Sequence, residues 1–251
     1  MKAYKTKTVN NSMNILITGH SRGLGKALTI HYLRKGHVVT GLSRNPMTGG
    51  ETHTTLRQVA VDLANLKALP NALKENIDNE ESYELIFLNA GQLGNIKKLA
   101  KTDLTEIQSL MDLNVWANKL ILDWLISKKI IPEKIIVISS GASKKGNFGW
   151  GSYAISKATL NMLVQLYAHE MPQTQILALS PGLVRTQMQA KLQEFSKAQY
   201  PSLQRFQESW ENGATPSAET VAEQLAKIVS STESYESGSF IDIREIKSVG
   251  I

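Results

Sequence analysis

The chain has 251 residues, 42% of them hydrophobic and 20% charged, the balance of an ordinary soluble globular protein. It contains no cysteine, which excludes disulfides, thiol nucleophiles and thiolate metal sites, and its five histidines show no metal-ligand spacing. The formal net charge is +6, but the 28 basic residues are dispersed rather than gathered in an arm, so nucleic acid is not an expected partner. No apolar run approaches the ~20 residues of a membrane span, and the polar start lacks the apolar core of a secretory signal. A cytoplasmic protein is expected, with residues 1–12 a flexible extension ahead of one domain over 13–251.

Taken in order, residues 14–18 (NILIT) form a short apolar strand. It runs into Gly19-His20-Ser21-Arg22-Gly23-Leu24-Gly25, followed by a helical pattern to about Lys35. Strand, glycine turn and helix together bring backbone N–H groups and a helix N-terminus against a pyrophosphate. Glycines are needed there because any Cβ would hold the phosphates away from the backbone. His20 reads as a surface loop residue. A second strand, 37–43, ends in Ser43-Arg44-Asn45. An acid at that point would accept hydrogen bonds from a ribose 2′-hydroxyl and repel a 2′-phosphate. None is present; Arg44, with Arg22, can instead pair with a phosphate, which favours NADP over NAD.

A third strand over 56–63 ends at Asp62 and Leu63, and a helix follows over about 65–77. Residues 83–91 give a fourth strand ending in Asn89-Ala90-Gly91. A long amphipathic helix over about 102–127 carries Asn114 at its middle, where asparagine is a poor helix former; an irregularity or a specific hydrogen bond is expected there. A fifth strand from Ile135 runs to Ser139 and Ser140. After a glycine-containing loop comes a helix bearing Tyr153 and Lys157, four apart and therefore on one face. A free phenol titrates near ~10, so acid–base work near neutrality needs a neighbouring cation. A sixth strand from Thr174 leads into Pro181-Gly182. Residues 187–213 suggest a mobile lid of one or two helices. Helix 216–230 and strand 239–243 complete an α/β chain. Strands alternating with helices predict a doubly wound parallel sheet of about seven strands, covered on both faces.

With these points fixed, the chain resembles the short-chain dehydrogenases/reductases of the single-domain, roughly 250-residue branch, over about Asn14 to Ile243. The resemblance rests on TGHSRGLG at the first turn, NAG at 89–91, Asn114, Ser140, YxxxK at Tyr153 and Lys157, and PGLVRT at 181–186, all in the family's order. It implies a Rossmann fold and an NAD(P)-dependent oxidoreductase interconverting a carbonyl and an alcohol. Tyr153 would then be the general acid, with Lys157 lowering its pKa and binding the nicotinamide ribose. Ser140 would hold the carbonyl oxygen; its thirteen-residue spacing to Tyr153 selects it over Ser139. Asn114 would hold a water connecting Lys157 to solvent. Around the cofactor, the resemblance places Gly19, Ser21, Arg22, Gly23, Leu24 and Gly25 at the pyrophosphate and Arg44 at the ribose. Asp62 and Leu63 would flank the adenine, with Asn89, Ala90 and Gly91 lining the cofactor. Pro181, Gly182, Val184 and Thr186 would lie about the nicotinamide.

The resemblance also favours a homodimer or homotetramer through the Tyr153 helix and its predecessor. No metal is implied. Substrate identity is not legible beyond a small-molecule carbonyl or alcohol and a mainly apolar pocket including Leu93, Ala142, Phe148, Trp150, Leu183 and Met188. The C-terminal wall departs from the family, because Asp242 precedes Ile243-Arg244 where a DGG-like turn is common. A non-catalytic NADP-binding sensor is the alternative in a different class.

Overall fold

The computed structural model describes residues 12–48, 53–77 and 82–246. The expected N-terminal extension therefore lies outside the described residues except for Ser12. Seven strands form one sheet: β1 (Asn14–Thr18), β2 (Val38–Ser43), β3 (Leu56–Ala60), β4 (Leu85–Leu88), β5 (Lys134–Ile138), β6 (Gln175–Ser180) and β7 (Phe240–Asp242). Their spatial order is β3-β2-β1-β4-β5-β6-β7, and every pairing is parallel. The order reverses direction between β1 and β4, which opens a crevice at the carboxyl ends of these strands.

Among the described residues eight α-helices connect and cover the sheet: α1 (Gly23–Arg34), α2 (Leu69–Ile77), α3 (Leu104–Met111), α4 (Ala117–Ser127), α5 (Gly151–Glu170), α6 (Gln187–Ala190), α7 (Gln204–Glu211) and α8 (Ala218–Val229). The strands read as unbroken apolar runs because both of their faces are buried. On β1, Leu16 packs into the layer formed with α2, α4 and α5, while Ile15 and Ile17 pack into the layer formed with α1 and α8. The same division separates Ile86 and Leu88 from Leu85 and Phe87 on β4, and Ile135 and Val137 from Ile136 on β5. Two-residue periodicity thus feeds two cores from one strand.

Local signals set the helix ends. Gly36, at φ +83, closes the turn after α1. The Ser217 hydroxyl accepts from Thr220 N at 3.1 Å and caps α8. Between α3 and α4 the helix continues through a π-turn, Asp112–Trp116, the irregularity expected around Asn114. Residues 187–213, the expected lid, are helical in part. They form short helices whose Leu192, Tyr200, Leu203 and Phe206 join Leu93, Ile96, Leu110, Trp150 and Tyr153 in a third apolar cluster. Aromatic contacts support that packing, with ring centroids of Trp150 and Phe206 5.0 Å apart. Among the described residues no helix is long and apolar enough to cross a membrane, and no group of acids and histidines could hold a metal.

Candidate active site

The glycine turn is built by close backbone approach. Gly19 and Gly23 have φ of +68 and +55, conformations that favour glycine. At Gly25 a Cβ would lie 2.6 Å from Asn89 Nδ2 and closer still to the Gly19 carbonyl oxygen. Only a glycine lets α1 start this near β1. Gly19 N donates to Leu42 O at 2.7 Å, joining the turn to the end of β2 and to Arg44 just beyond it. Arg22 and Arg44 are both exposed there, with no acid between Ser43 and Asn45. Asp62 accepts from Ala64 N at 3.1 Å, whereas the Leu63 side chain is buried in the core.

His20 requires a correction. It is 1% exposed, not a surface loop residue. Its ring lies over Gly41, where a Cβ would come within 2.6 Å of Nδ1. Its Nε2 donates to Gln58 Oε1 at 2.9 Å, and the same oxygen accepts from Met47 N at 2.6 Å. The glycine of β2 makes room for an imidazole that ties the first turn to β3 and to the segment following Arg44.

Thr18, a residue to which the sequence alone assigns no role, organises the junction of β1 and β4. Its buried hydroxyl accepts from Asn89 N at 2.9 Å and Ala90 N at 3.0 Å. Asn89 Nδ2 returns a bond to Thr18 O at 3.0 Å. The signal was present in the TG pair, but its partner becomes evident only once β1 and β4 are neighbours.

At the end of β5 the structure sets Ser140, and not Ser139, against the Tyr153 phenol. Ser139 is buried and donates to Asn161 Oδ1 at 2.6 Å. Asn161 Nδ2 donates to Ser143 Oγ at 2.8 Å, and Ser143 donates to Ser140 O at 2.7 Å. This chain fixes the Ser140 loop to α5; the sequence places Ser143 only in the pocket lining and gives Asn161 no role. Tyr153 is 8% exposed and packs beside Trp150, ring centroids 6.1 Å apart. Burial pushes its phenol up, and the Ser140 hydroxyl pulls in the opposite direction.

Lys157 is buried, donates from Nζ to Ile138 O at 2.7 Å, and lies 5.9 Å from the centre of the Tyr153 ring. Burial lowers its ammonium to about 8. The expected lowering of the phenol by Lys157 is not found in this arrangement, because desolvation dominates and the ammonium is directed at a backbone carbonyl. Asn114 is fully buried. Its Oδ1 accepts from Gln92 N, its Nδ2 donates to Gln92 O, both at 2.9 Å, and Nδ2 also reaches Ser156 Oγ at 3.0 Å. The side chain thereby clamps the segment after β4 onto α5. A Cβ at Gly91 would sit 3.2 Å from Asn114 Oδ1 and 3.6 Å from Lys157 Nζ, so this glycine brings the two side chains to one place.

After β6, Gly182 turns at φ +69 and Val184 packs into the core. Thr186 returns to the glycine turn, its Cγ2 3.3 Å from where a Gly23 Cβ would stand. Residues from four loops, at 19–25, 89–91, 140–157 and 181–186, therefore converge at the carboxyl edge of the sheet. Of the expected pocket residues, Leu93, Ala142, Trp150 and Leu183 pack around Tyr153, whereas Phe148 and Met188 stay largely exposed.

A glycine-turned parallel α/β crevice with Ser, Tyr and Lys grouped at its edge defines a dinucleotide-dependent oxidoreductase of the Rossmann type. The chain belongs to the short chain dehydrogenase family, which matches residues 13–197. It is 31% identical to a benzil reductase ((S)-benzoin forming) of Bacillus subtilis, over 92% of this chain and 98% of that protein. It is 28% identical to an NADPH-dependent pterin aldehyde reductase of Arabidopsis thaliana, over 69% of this chain and 76% of that one. The solved KRED1-Pglu enzyme has the same fold, with a TM-score of 0.81 at 23% identity, covering 92% of this chain and 100% of that one. The protein is thus an enzyme acting on the carbonyl/CH–OH couple, and the non-catalytic sensor is set aside.

Proposed function

We propose that the protein is an NADPH-dependent carbonyl reductase of small molecules. The observation that carries this reading is the Ser140–Tyr153–Lys157 grouping on the edge of a glycine-built cradle that a single Cβ at Gly25 would fill. The residues present fit a dinucleotide phosphate: backbone N–H groups and the α1 N-terminus for the pyrophosphate, and Arg44 with Arg22 for a 2′-phosphate. When bound, NADPH supplies the hydride. Tyr153 protonates the carbonyl oxygen as negative charge develops there, and Ser140 donates a hydrogen bond to the same oxygen. Lys157 holds positive charge beneath the phenol and contacts the ribose. Asn114 keeps the 89–92 segment and Lys157 in register, and a water beside it links the ammonium to solvent. Asp62 and the Leu63 backbone flank the adenine, Asn89, Ala90 and Gly91 border the cofactor, and Pro181, Gly182, Val184 and Thr186 enclose the nicotinamide. The aromatic cap over Tyr153, formed by Trp150, Tyr200 and Phe206, suits a planar or bulky carbonyl compound, and the relatives' names make benzil and pterin aldehydes the first to assay.

Fluorescence titration with NADPH and then NADH tests the cofactor assignment. NADPH should bind at least about tenfold more tightly, a difference of about 1.4 kcal/mol, and Arg44→Ala should erase the gap. Equal affinities, or an NADH preference, would refute it.

The pH dependence of reduction follows from the two buried groups. Lys157 is protonated below about 8 and loses its charge above it, while burial keeps the Tyr153 phenol protonated. The kcat/KM for reduction should therefore fall as pH rises through about 8. A profile flat to pH 10 would rule out a charged Lys157 as a requirement. The same shift affects stability. Lysine in the unfolded chain titrates near ~10.4, so between about 8 and that value the unfolded state binds more protons and stability rises with pH.

The reading further places the protein in the cytoplasm as a homodimer or homotetramer. Its association surface is the exposed apolar side of α5, where Ile155, Met162 and Leu166 are 40%, 54% and 53% exposed, together with the exposed Trp116 of the π-turn before α4. Leu163, on the same helix, is buried in the core and belongs to no such surface. Light scattering that gives a monomer mass at micromolar concentration would remove this surface from the account.

A further inference from the structure

The mechanism leaves one charged pair at the carboxyl edge of the sheet unused. Asp242 ends β7 and is 5% exposed, and Arg244 follows two residues later with its side chain 52% exposed. Arg244 donates from Nε to Asp242 Oδ1 at 2.8 Å and from Nη2 to Oδ2 at 2.5 Å. Its backbone N–H also reaches Oδ1 at 3.1 Å, and Ser180 Oγ lies 3.4 Å from Oδ2. A two-point fork of this kind fixes the guanidinium plane as well as its position. One edge is consumed by Asp242. Among the described residues Nη1, on the other edge, has no hydrogen-bond partner.

The place where this guanidinium is held is specific. A Cβ at Gly141 would lie 3.3 Å from Arg244 Nη2, and Gly141 is the residue immediately after Ser140. A Cβ at Gly182 would lie 2.9 Å from Arg244 Cδ. The guanidinium thus reaches from the end of β7 across the Pro181-Gly182 turn to the Ser140 loop, through space that two glycines leave open. Nearby Lys144 does not duplicate it, because its ammonium sits over the Phe240 ring, 5.2 Å from the centroid. A half-exposed arginine held flat by a buried acid, one residue from the group that receives the carbonyl, is placed to read a second feature of the substrate.

We propose that Arg244 is a specificity-determining residue of this site, its free guanidinium edge binding an acceptor oxygen of the substrate other than the reacting carbonyl. The inference rests on the carbonyl-reductase reading above. The substrate class is a carbonyl compound with a neighbouring oxygen acceptor, either a carboxylate or a second carbonyl. Asp242 is the positioning residue, since it orients the guanidinium and cancels its charge until the substrate's oxygen arrives.

Steady-state reduction of phenylglyoxylate, 1-phenylpropane-1,2-dione and propiophenone tests the assignment, using the full chain and NADPH. The first compound carries a carboxylate beside the ketone, the second a second carbonyl, and the third neither. Wild type should favour the first two over propiophenone, and Arg244→Ala should shrink that preference by about tenfold or more, through KM rather than kcat. Asp242→Asn leaves the guanidinium in place without its fork and should produce a smaller loss in the same direction. Arg244→Lys separates the two sources of acceptor. Preference restored for phenylglyoxylate alone identifies an anionic group, and preference restored for neither or both identifies the planar fork or a general donor. An Arg244→Ala enzyme with undiminished preference, or one slowed equally on all three compounds, overturns the inference. If wild type binds NADPH but reduces none of these compounds and no benzil, the reductase reading itself fails.

Discussion

Tyr153→Phe should lower kcat for carbonyl reduction by about 10³-fold, the scale of a lost general acid, while leaving NADPH affinity and the melting temperature near wild type. The substitution removes one oxygen and keeps the ring that packs beside Trp150. The Ser140 hydroxyl retains Ala142 N as a partner, a donor 3.2 Å away, so the loop does not lose its anchor. What disappears is the phenolic proton set against Ser140. Reduction would then depend on water reaching a site bordered by the apolar cap of Trp150, Tyr200 and Phe206. Parallel measurement of turnover and NADPH binding checks the expectation. Activity within tenfold of wild type would remove Tyr153 from the acid role.

Gly25→Ala has the second largest expected effect, and it acts on the cradle rather than on the chemistry. The added methyl would collide with the Gly19 carbonyl oxygen and stand 2.6 Å from Asn89 Nδ2. Neither neighbour is free to yield. Gly19 is held to Leu42 O, and Asn89 is bound to Thr18 through both backbone and side chain. Relief requires α1 to move away from β1, which breaks the packing of Leu24 and Leu28 with Ile15 and Ile17. Overpacking of this kind costs about 1–3 kcal/mol, which for a domain of this size is a melting-temperature loss of roughly 5 °C. The displaced turn would also weaken NADPH binding by at least about tenfold. Thermal melts with and without NADPH read both effects. A variant as stable as wild type and equally stabilised by NADPH would show that the turn does not need its close approach.

Much of this architecture was legible in the chain because a strand buried on both faces must be apolar throughout, and each strand is followed by a distinct turn. That Tyr153 and Lys157 share one helix face follows from their spacing, and the resemblance assigns that face to the site. What sequence could not supply were the partners that arise from strand order. Thr18 meets Asn89 only because β4 lies beside β1. His20 was misread because a polar residue in a glycine turn suggests solvent. Its burial depends on Gly41, on a different strand, leaving room for the ring. The segment at 187–213 looked mobile from its Gln, Lys and Ser content, yet its few aromatics are spaced to close over Trp150 and Tyr153. Asn114 shows the opposite case. Its poor fit to a helix signalled something unusual, and the π-turn with the Gln92 clamp supplies it. The effect of Lys157 on the phenol was expected from proximity, whereas the balance of burial against hydrogen bonding needed coordinates.

The most direct test of a carbonyl reductase is to follow the hydride itself. Incubation of the protein with benzil and NADPH carrying deuterium at the transferable position of the nicotinamide, followed by mass spectrometry of the product, does this in one experiment. The account predicts benzoin with one deuterium on its carbinol carbon, formed by wild type and not by Tyr153→Phe. Unlabelled benzoin, or labelled product at equal rates from both proteins, would contradict it.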